Sequence, residues 1–400
     1  MDLTIIKEAA MKRKVIGALF FFCVWTVLFT FYLPAGAFAE DPGTKPLIQD
    51  GDYTSSIMIN ADTGDLLYEK NIHEKHPPAS MVKMMLMLLV MEKLKDHSIA
   101  LTDQITVSAR ASKTGGSQAY LKQGEVFSLE ELMKAIVIHS ANDASVAVAE
   151  HILGSVEGCV DLMNRRAQEL GLKDTIYHSV DGLPPEKNQE PDLSSAYDLA
   201  MLGRELVKYP NILEWGSTKS APFRDGKFIL VNTNKLIGNF PGADGIKTGY
   251  YRAAGFGLTA SASRDGLRMI SVVLGAKTNK DRMRESARLL SVGFNMYKKV
   301  QVVKKGETIG KEVPVSGAKV KSTILVAADD FSVFVLRGAE SSLSKVIDAP
   351  SVIEAPVIKG KPYGSIIVKN GEKEIAKIQA LSQEEIPRAN FFYRMISKFL

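Results

Sequence analysis

Cysteine is nearly absent, with two among 400 residues. Cys23 lies in an N-terminal apolar run, which leaves Cys159 alone in the body of the chain. A single cysteine outside that run leaves no internal disulfide there, and Cys159 reads as a small buried apolar residue. Histidine is also sparse. The six histidines (73, 76, 97, 139, 151 and 178) show no ligand spacing on a recognisable element, apart from His73 and His76 in a proline-flanked loop. A metal enzyme is therefore poorly supported, and neither metal nor cofactor is expected. No G-x-S-x-G elbow is present for a histidine-dependent triad. A strong charge of one sign is missing too, since 50 Lys+Arg against 45 Asp+Glu leave a net +5. Without a clustered basic face interleaved with aromatics, no nucleic-acid partner is expected.

What is present starts with an address. Lys12-Arg13-Lys14 precedes an apolar run from Val15 to Leu33, followed by Ala37-Phe38-Ala39. That order predicts a secretory signal over 1–39, cleaved after Ala39, where Pro34 and Gly36 have already broken the helix. An uncleaved membrane anchor is the alternative, because the run is long for a signal. At the other end, Phe391, Phe392, Met395, Ile396, Phe399 and Leu400 share half of a helical wheel. Tyr393, Arg394, Ser397 and Lys398 take the other half, a division that suits a membrane-interface helix over 386–400. Packing on its own domain is the alternative.

Between those ends, the run from Met81 to Met91 is apolar on every side, with Lys83 its only charge. Such a helix is buried, and burial lowers a lysine's pKa. Ser80 lies three residues before Lys83, after Pro77-Pro78, where a helix begins and offers free N–H groups. A hydroxyl beside a deprotonatable amine at a helix N-terminus is what an activated serine needs. A capping serine with a snorkelling lysine is the plainer reading of S-x-x-K alone.

Ser55–Asn60 and Leu66–Glu69 read as a hairpin across Asp62–Asp65. Ser128-Leu-Glu-Glu131 is a capping box opening a helix to His139. Ser140-Ala141-Asn142 then interrupts two apolar helical runs, which for the tripeptide alone signals a helix-breaking turn. A helix follows Ser194-Ser195, two β-rich runs flank the turn at Arg264-Asp265-Gly266, and a helix runs from Asp281 to Tyr297. After Lys299 the texture becomes β-branched, and Asn370-Gly371 marks a hairpin. The reading is an α/β (α+β) domain over 46–297, then a small all-β domain over 299–385.

Ser80-x-x-Lys83, Ser140-x-Asn142 and Lys247-Thr248-Gly249 resemble, in order, the three motifs of penicillin-recognising serine enzymes. Lys113-Thr114-Gly115 is a decoy, out of order and without a following strand. Within that superfamily the chain resembles the D-alanyl-D-alanine carboxypeptidases of the S11 peptidase type. Ser194–Ala200, His178–Leu183 and Asp244–Gly249 support the likeness.

The resemblance implies a penicillin-recognising, β-lactamase-like catalytic domain acting on the peptidoglycan pentapeptide, with β-lactams as covalent inhibitors. It implies Ser80 as nucleophile, Lys83 as its base, Ser140 as proton relay, and Asn142 as a holder of Lys83 and of the substrate amide. It further implies an oxyanion hole from the N–H groups of Ser80 and Tyr250. Lys247, Thr248, Gly249 and Arg282 would line the site of the substrate carboxylate, although Arg282 also fits a helix-surface arginine. Two rivals stand beside this. A serine β-lactamase would take Glu190 of Glu190-Pro191-Asp192-Leu193 as its deacylating carboxylate. A non-catalytic, membrane-attached wall-binding protein would have no reason to keep the motifs.

Overall fold

The computed structural model describes residues 51–396. The signal segment and residues 397–400 of the amphipathic tail lie outside the described residues. Strands Ser55–Asn60 and Leu66–Lys70 pair across the tight turn at Gly64, as their alternation predicts. They join Leu267–Ala276, Gly255–Arg264 and Ala243–Tyr251 in a five-stranded antiparallel sheet.

Both faces of this sheet are covered. Gly203 of helix Ala196–Leu206 lies against Ile246, Thr259 and Ile270, whereas Gly293 of helix Asn279–Met296 lies against Met58 and Met269 on the other face. A sheet buried on two sides reads as a continuous apolar run and not as an alternation, which is how Leu267–Ala276 reads. Beyond the Ala196–Leu206 layer sits a helical core built on Lys83–Lys95, against which Asn142–Leu153 and Val156–Glu169 pack. All residues from Lys83 to Met91 are buried. Each apolar side chain fully removed from water contributes about 1.5–3 kcal/mol, so this helix anchors the domain.

Local rules set the element ends. Ser128 and Glu131 form the full capping box, and Ser195 caps Ala196–Leu206 through the Asp198 N–H. The helix expected through His139 changes pitch on the way. It is α-helical over Leu129–Lys134, then a π-turn over Ala135–His139, ending at Ser140 in the left-handed region (φ 67°). Single π-turns are frequent at functional sites.

Helix Asn279–Met296 passes without a linker into strand Tyr297–Val303, which pairs with Phe331–Leu336. The remainder is a six-stranded sheet with its own apolar core around Leu325, Val368 and Ala380. In its hairpin Pro362–Asn370/Lys373–Ser382, Asn370 pairs with Lys373. The two-residue loop is therefore Gly371-Glu372, one position later than the Asn-Gly signal suggests, with Gly371 at φ 58°. Among the described residues, no helix is long and apolar enough to cross a membrane.

Candidate active site

Pro77-Pro78 deliver the chain to a 3-10 turn, Ala79–Val82, that flows directly into helix Lys83–Lys95. Ser80 is thus on a tight turn and not on the α-helix proper, and Ala79 before it sits at φ 50°. A left-handed non-glycine residue costs about 1–3 kcal/mol and persists only where its surroundings impose it. Two glycines help impose it by permitting close approach. A Cβ on Gly182 would lie 2.1 Å from the Ala79 carbonyl oxygen, and one on Gly249 would lie 2.3 Å from that of Pro78.

The Lys83 ammonium is fully buried. It donates to Ser80 Oγ at 3.0 Å, to Asn142 Oδ1 at 2.7 Å and to the Asp181 carbonyl. Burial pulls its pKa down to about 8, against the opposing charges of Asp181, Asp192 and Asp143. Lys247 is 1% exposed and donates to Ser140 Oγ at 2.8 Å and to the Thr248 carbonyl at 3.0 Å. Burial, then the positive charges of Lys83 and Arg282, hold it well below the ordinary lysine value. Ser80, Lys83, Ser140, Asn142 and Lys247 therefore meet as two serine–lysine pairs, with Asn142 on the first. A serine hydroxyl 3.0 Å from an amine that deprotonates near pH 8 can lose its proton as it attacks a carbonyl.

Thr248 is buried and donates its hydroxyl to Thr233 Oγ1 at 2.8 Å. Gly249 is at the close approach to Pro78, and Tyr250 beyond it is 53% exposed, its ring stacked on Phe256 at 4.0 Å. Arg282 is not a surface arginine. It is buried, with Nη1 on the carbonyls of Gly249 (2.8 Å) and Gly257 (2.9 Å) and Nε on Asn279 Oδ1. Burial lowers its pKa to about 10.

Glu190 is exposed, whereas its neighbour Asp192 is buried. Asp192 accepts from the N–H groups of His178 and Ser179 and from Ser179 Oγ–H, and Ser179 Oγ accepts from Gly182 N–H. It is a latch for the segment that lays the Asp181 carbonyl on Lys83. Desolvation raises its pKa, opposed by those hydrogen bonds.

Several participants escaped sequence reading. The Gly115 carbonyl accepts from Asn142 Nδ2 at 2.7 Å, so the loop bearing the decoy Lys113-Thr114-Gly115 does reach the site, through its backbone. Thr233 and Asp143 were likewise unmarked, and the stretch His178–Leu183 gave no sign that the Asp181 carbonyl would meet Lys83. A buried acid beside Ser140-x-Asn142 had a signal in the sequence, while backbone acceptors had none.

The family model for Peptidase_S11, D-alanyl-D-alanine carboxypeptidase, matches residues 44–278, and that for the penicillin-binding protein 5 C-terminal domain matches 297–388. The chain is 39% identical over 359 residues to D-alanyl-D-alanine carboxypeptidase DacF of Bacillus subtilis (strain 168), covering 89% of this chain and 91% of the relative. It is 34% identical to DacC of Escherichia coli (strain K12), covering 91% of each. Among solved structures it is similar to penicillin binding protein 5 from Haemophilus influenzae, with TM-score 0.66, 29% identity, and coverage of 86% of this chain and 100% of that one. It is also similar to penicillin-binding protein D2 from Listeria monocytogenes in its ampicillin-bound form, with TM-score 0.56, 28% identity, and coverage of 62% and 99%.

Proposed function

The chain belongs to the D-alanyl-D-alanine carboxypeptidase family of serine peptidases, and from that premise we propose that it removes the terminal D-alanine of peptidoglycan stem pentapeptides through an acyl-enzyme on Ser80. The observation that carries the reading is the buried Lys83 ammonium 3.0 Å from Ser80 Oγ. Neutral Lys83 takes the hydroxyl proton as Ser80 Oγ bonds to the carbonyl carbon between the two D-alanines. The oxyanion rests on the N–H groups of Ser80 and Tyr250, an arrangement in which one donor contributes about 3–4 kcal/mol. As the C–N bond breaks, the proton that Lys83 took from Ser80 is returned through Ser140 to the leaving amine, and free D-alanine departs. Water then cleaves the ester and restores Ser80.

Lys247, Thr248 and Arg282 hold the free carboxylate of the substrate, and Gly249 keeps the strand close to Ser80. Arg282 acts through its charge, since its Nη1 already braces two strand carbonyls. Asn142 spans Lys83 and the Gly115 loop, leaving its edge for the substrate amide. β-Lactams acylate the same Ser80 and block it. Glu190, the residue a β-lactamase reading requires, is exposed, whereas the buried carboxylate of this segment is its neighbour Asp192.

The same reading has the enzyme exported by the 1–39 signal, with 46–297 as the peptidase, 299–385 as a β domain, and the tail lying on the outer face of the bacterial cytoplasmic membrane. Phe391 and Phe392, 66% and 70% exposed, support a tail with an outward apolar face. The test is release of D-alanine from a peptide ending in D-Ala-D-Ala, with the lifetime of a penicillin adduct followed in parallel. Release with a lasting adduct is expected. Rapid loss of the adduct with destroyed penicillin and no release would move the assignment to a β-lactamase.

A further inference from the structure

We propose that Asp143, the residue after the Ser-x-Asn motif, is a positioning residue for acylation: it clamps the 115–121 loop and, through that loop, holds the Asn142 amide on Lys83. The inference rests on the roles given above to Ser80 and Lys83.

Asp143 is fully buried in the first turn of helix Asn142–Leu153. Its Oδ1 accepts from the N–H groups of Ala119 (3.0 Å) and Ala144 (2.9 Å), and its Oδ2 accepts from Leu121 N–H (3.0 Å). One carboxylate therefore ties its own helix start to two loop amides on either side of Tyr120. Tyr120 sits at φ 58° with its side chain 61% exposed. A bulky residue is held there only when the backbone around it is restrained. Here the restraint is the pair of amides on Asp143, with Arg224 Nη2 on the Tyr120 carbonyl.

The other end of the same loop grips Asn142. Gly115 O accepts from Asn142 Nδ2 at 2.7 Å, Ser117 O accepts from Asn142 N–H at 2.7 Å, and Ser117 Oγ donates to the His139 carbonyl at 2.9 Å. With Nδ2 fixed on the loop, the Asn142 amide has one orientation left, and Oδ1 lands on Lys83 Nζ at 2.7 Å. Releasing the loop frees the amide to turn, and the base loses a partner that aims it. Among the charges that act on the Lys83 amine, Asp143 comes from its helix, Asp181 and Asp192 come from the segment that Asp192 latches, and Lys247 comes from strand Ala243–Tyr251. Asp143 accordingly favours the protonated amine, and neutralising it lets Lys83 deprotonate at lower pH.

The experiment compares the full chain with Asp143→Asn in the rate of covalent labelling by benzylpenicillin, per labelled molecule, from pH 6 to 9. An amide oxygen can accept from the loop on one side only, so labelling is expected to slow about 10- to 100-fold, with the acid limb of the profile displaced to lower pH. A purely structural role would shrink the labelled fraction and leave rate and limb unchanged. A wild-type rate, or a slowed rate with an unmoved limb, overturns the proposal. Should Asp143→Asn not accumulate as folded protein, hydrogen exchange on the wild type decides. The Ala119 and Leu121 amides are expected to be as protected as helix Asn142–Leu153, and exchange at the speed of an exposed loop overturns it. Failure of the wild type to label at all would instead overturn the functional reading itself.

Discussion

Replacing Lys83 with methionine removes the one buried charge from an otherwise apolar helix start, and the consequence for stability has a definite pH signature. Burial lowers the Lys83 pKa from 10.5 to about 8. A drop of that size, at about 1.4 kcal/mol per unit, corresponds to about 3 kcal/mol. On lowering the pH from alkaline values, the unfolded chain takes up this proton first. Between pH 8 and 10.5 the unfolded state binds more protons, so this group's contribution to stability climbs as pH rises through that window. Below pH 8 the cost is present in full. A single pH would be undiagnostic for Lys83→Met, because relief of the buried charge opposes the loss of a partner for Asn142 Oδ1 and the Asp181 carbonyl. The slope is diagnostic. In urea unfolding at pH 7, 8, 9 and 10, wild type is expected to gain on Lys83→Met by about 2–3 kcal/mol across the series. Parallel curves for the two proteins would refute the claim that Lys83 is held as a readily neutralised base.

Three further outcomes follow from the same geometry. The rate of acylation should rise about tenfold per pH unit below about 8 and level off above it, as Lys83 loses its proton; a flat profile from pH 6 to 9 would contradict this. Gly182→Ala would place a Cβ 2.1 Å from the Ala79 carbonyl oxygen in a backbone already at φ 73°. It should cost more than about 2 kcal/mol of stability and slow penicillin labelling, and unfolding curves matching wild type would be the contrary result. Deleting Arg388–Leu400 should release active enzyme from membrane vesicles, and retention of the signal-cleaved protein on the vesicles would disprove anchoring by the tail.

Much of this architecture was legible in the chain. The lone lysine between Met81 and Met91 announced a buried amine, since ordinary helix faces do not enclose charge on all sides. The capping box at Ser128 and the texture change after Lys299 placed a helix start and a second domain. Less visible was what side-chain chemistry does not encode. Asp181 and Gly115 serve the site through carbonyl oxygens, which every residue carries, so neither the stretch His178–Leu183 nor the decoy Lys113-Thr114-Gly115 reveals that role. Arg282 sits in a charge-rich helix whose sequence suits a solvent face, yet the carbonyl oxygens of Gly249 and Gly257 accept from its guanidinium and hold it inward. The π-turn before Ser140 was equally silent, because Ala135–His139 has the composition of any buried helix and its pitch is set by tertiary packing.

The central claim, that one serine paired with a buried lysine forms the acyl-enzyme, is tested most directly by mapping the penicillin adduct. Intact protein and its peptides would be weighed after brief exposure to benzylpenicillin, for wild type and Ser80→Ala. A single adduct on the peptide containing Ser80, absent together with D-alanine release in Ser80→Ala, is the expected result. An adduct on another residue, or D-alanine release that survives in Ser80→Ala, would contradict it.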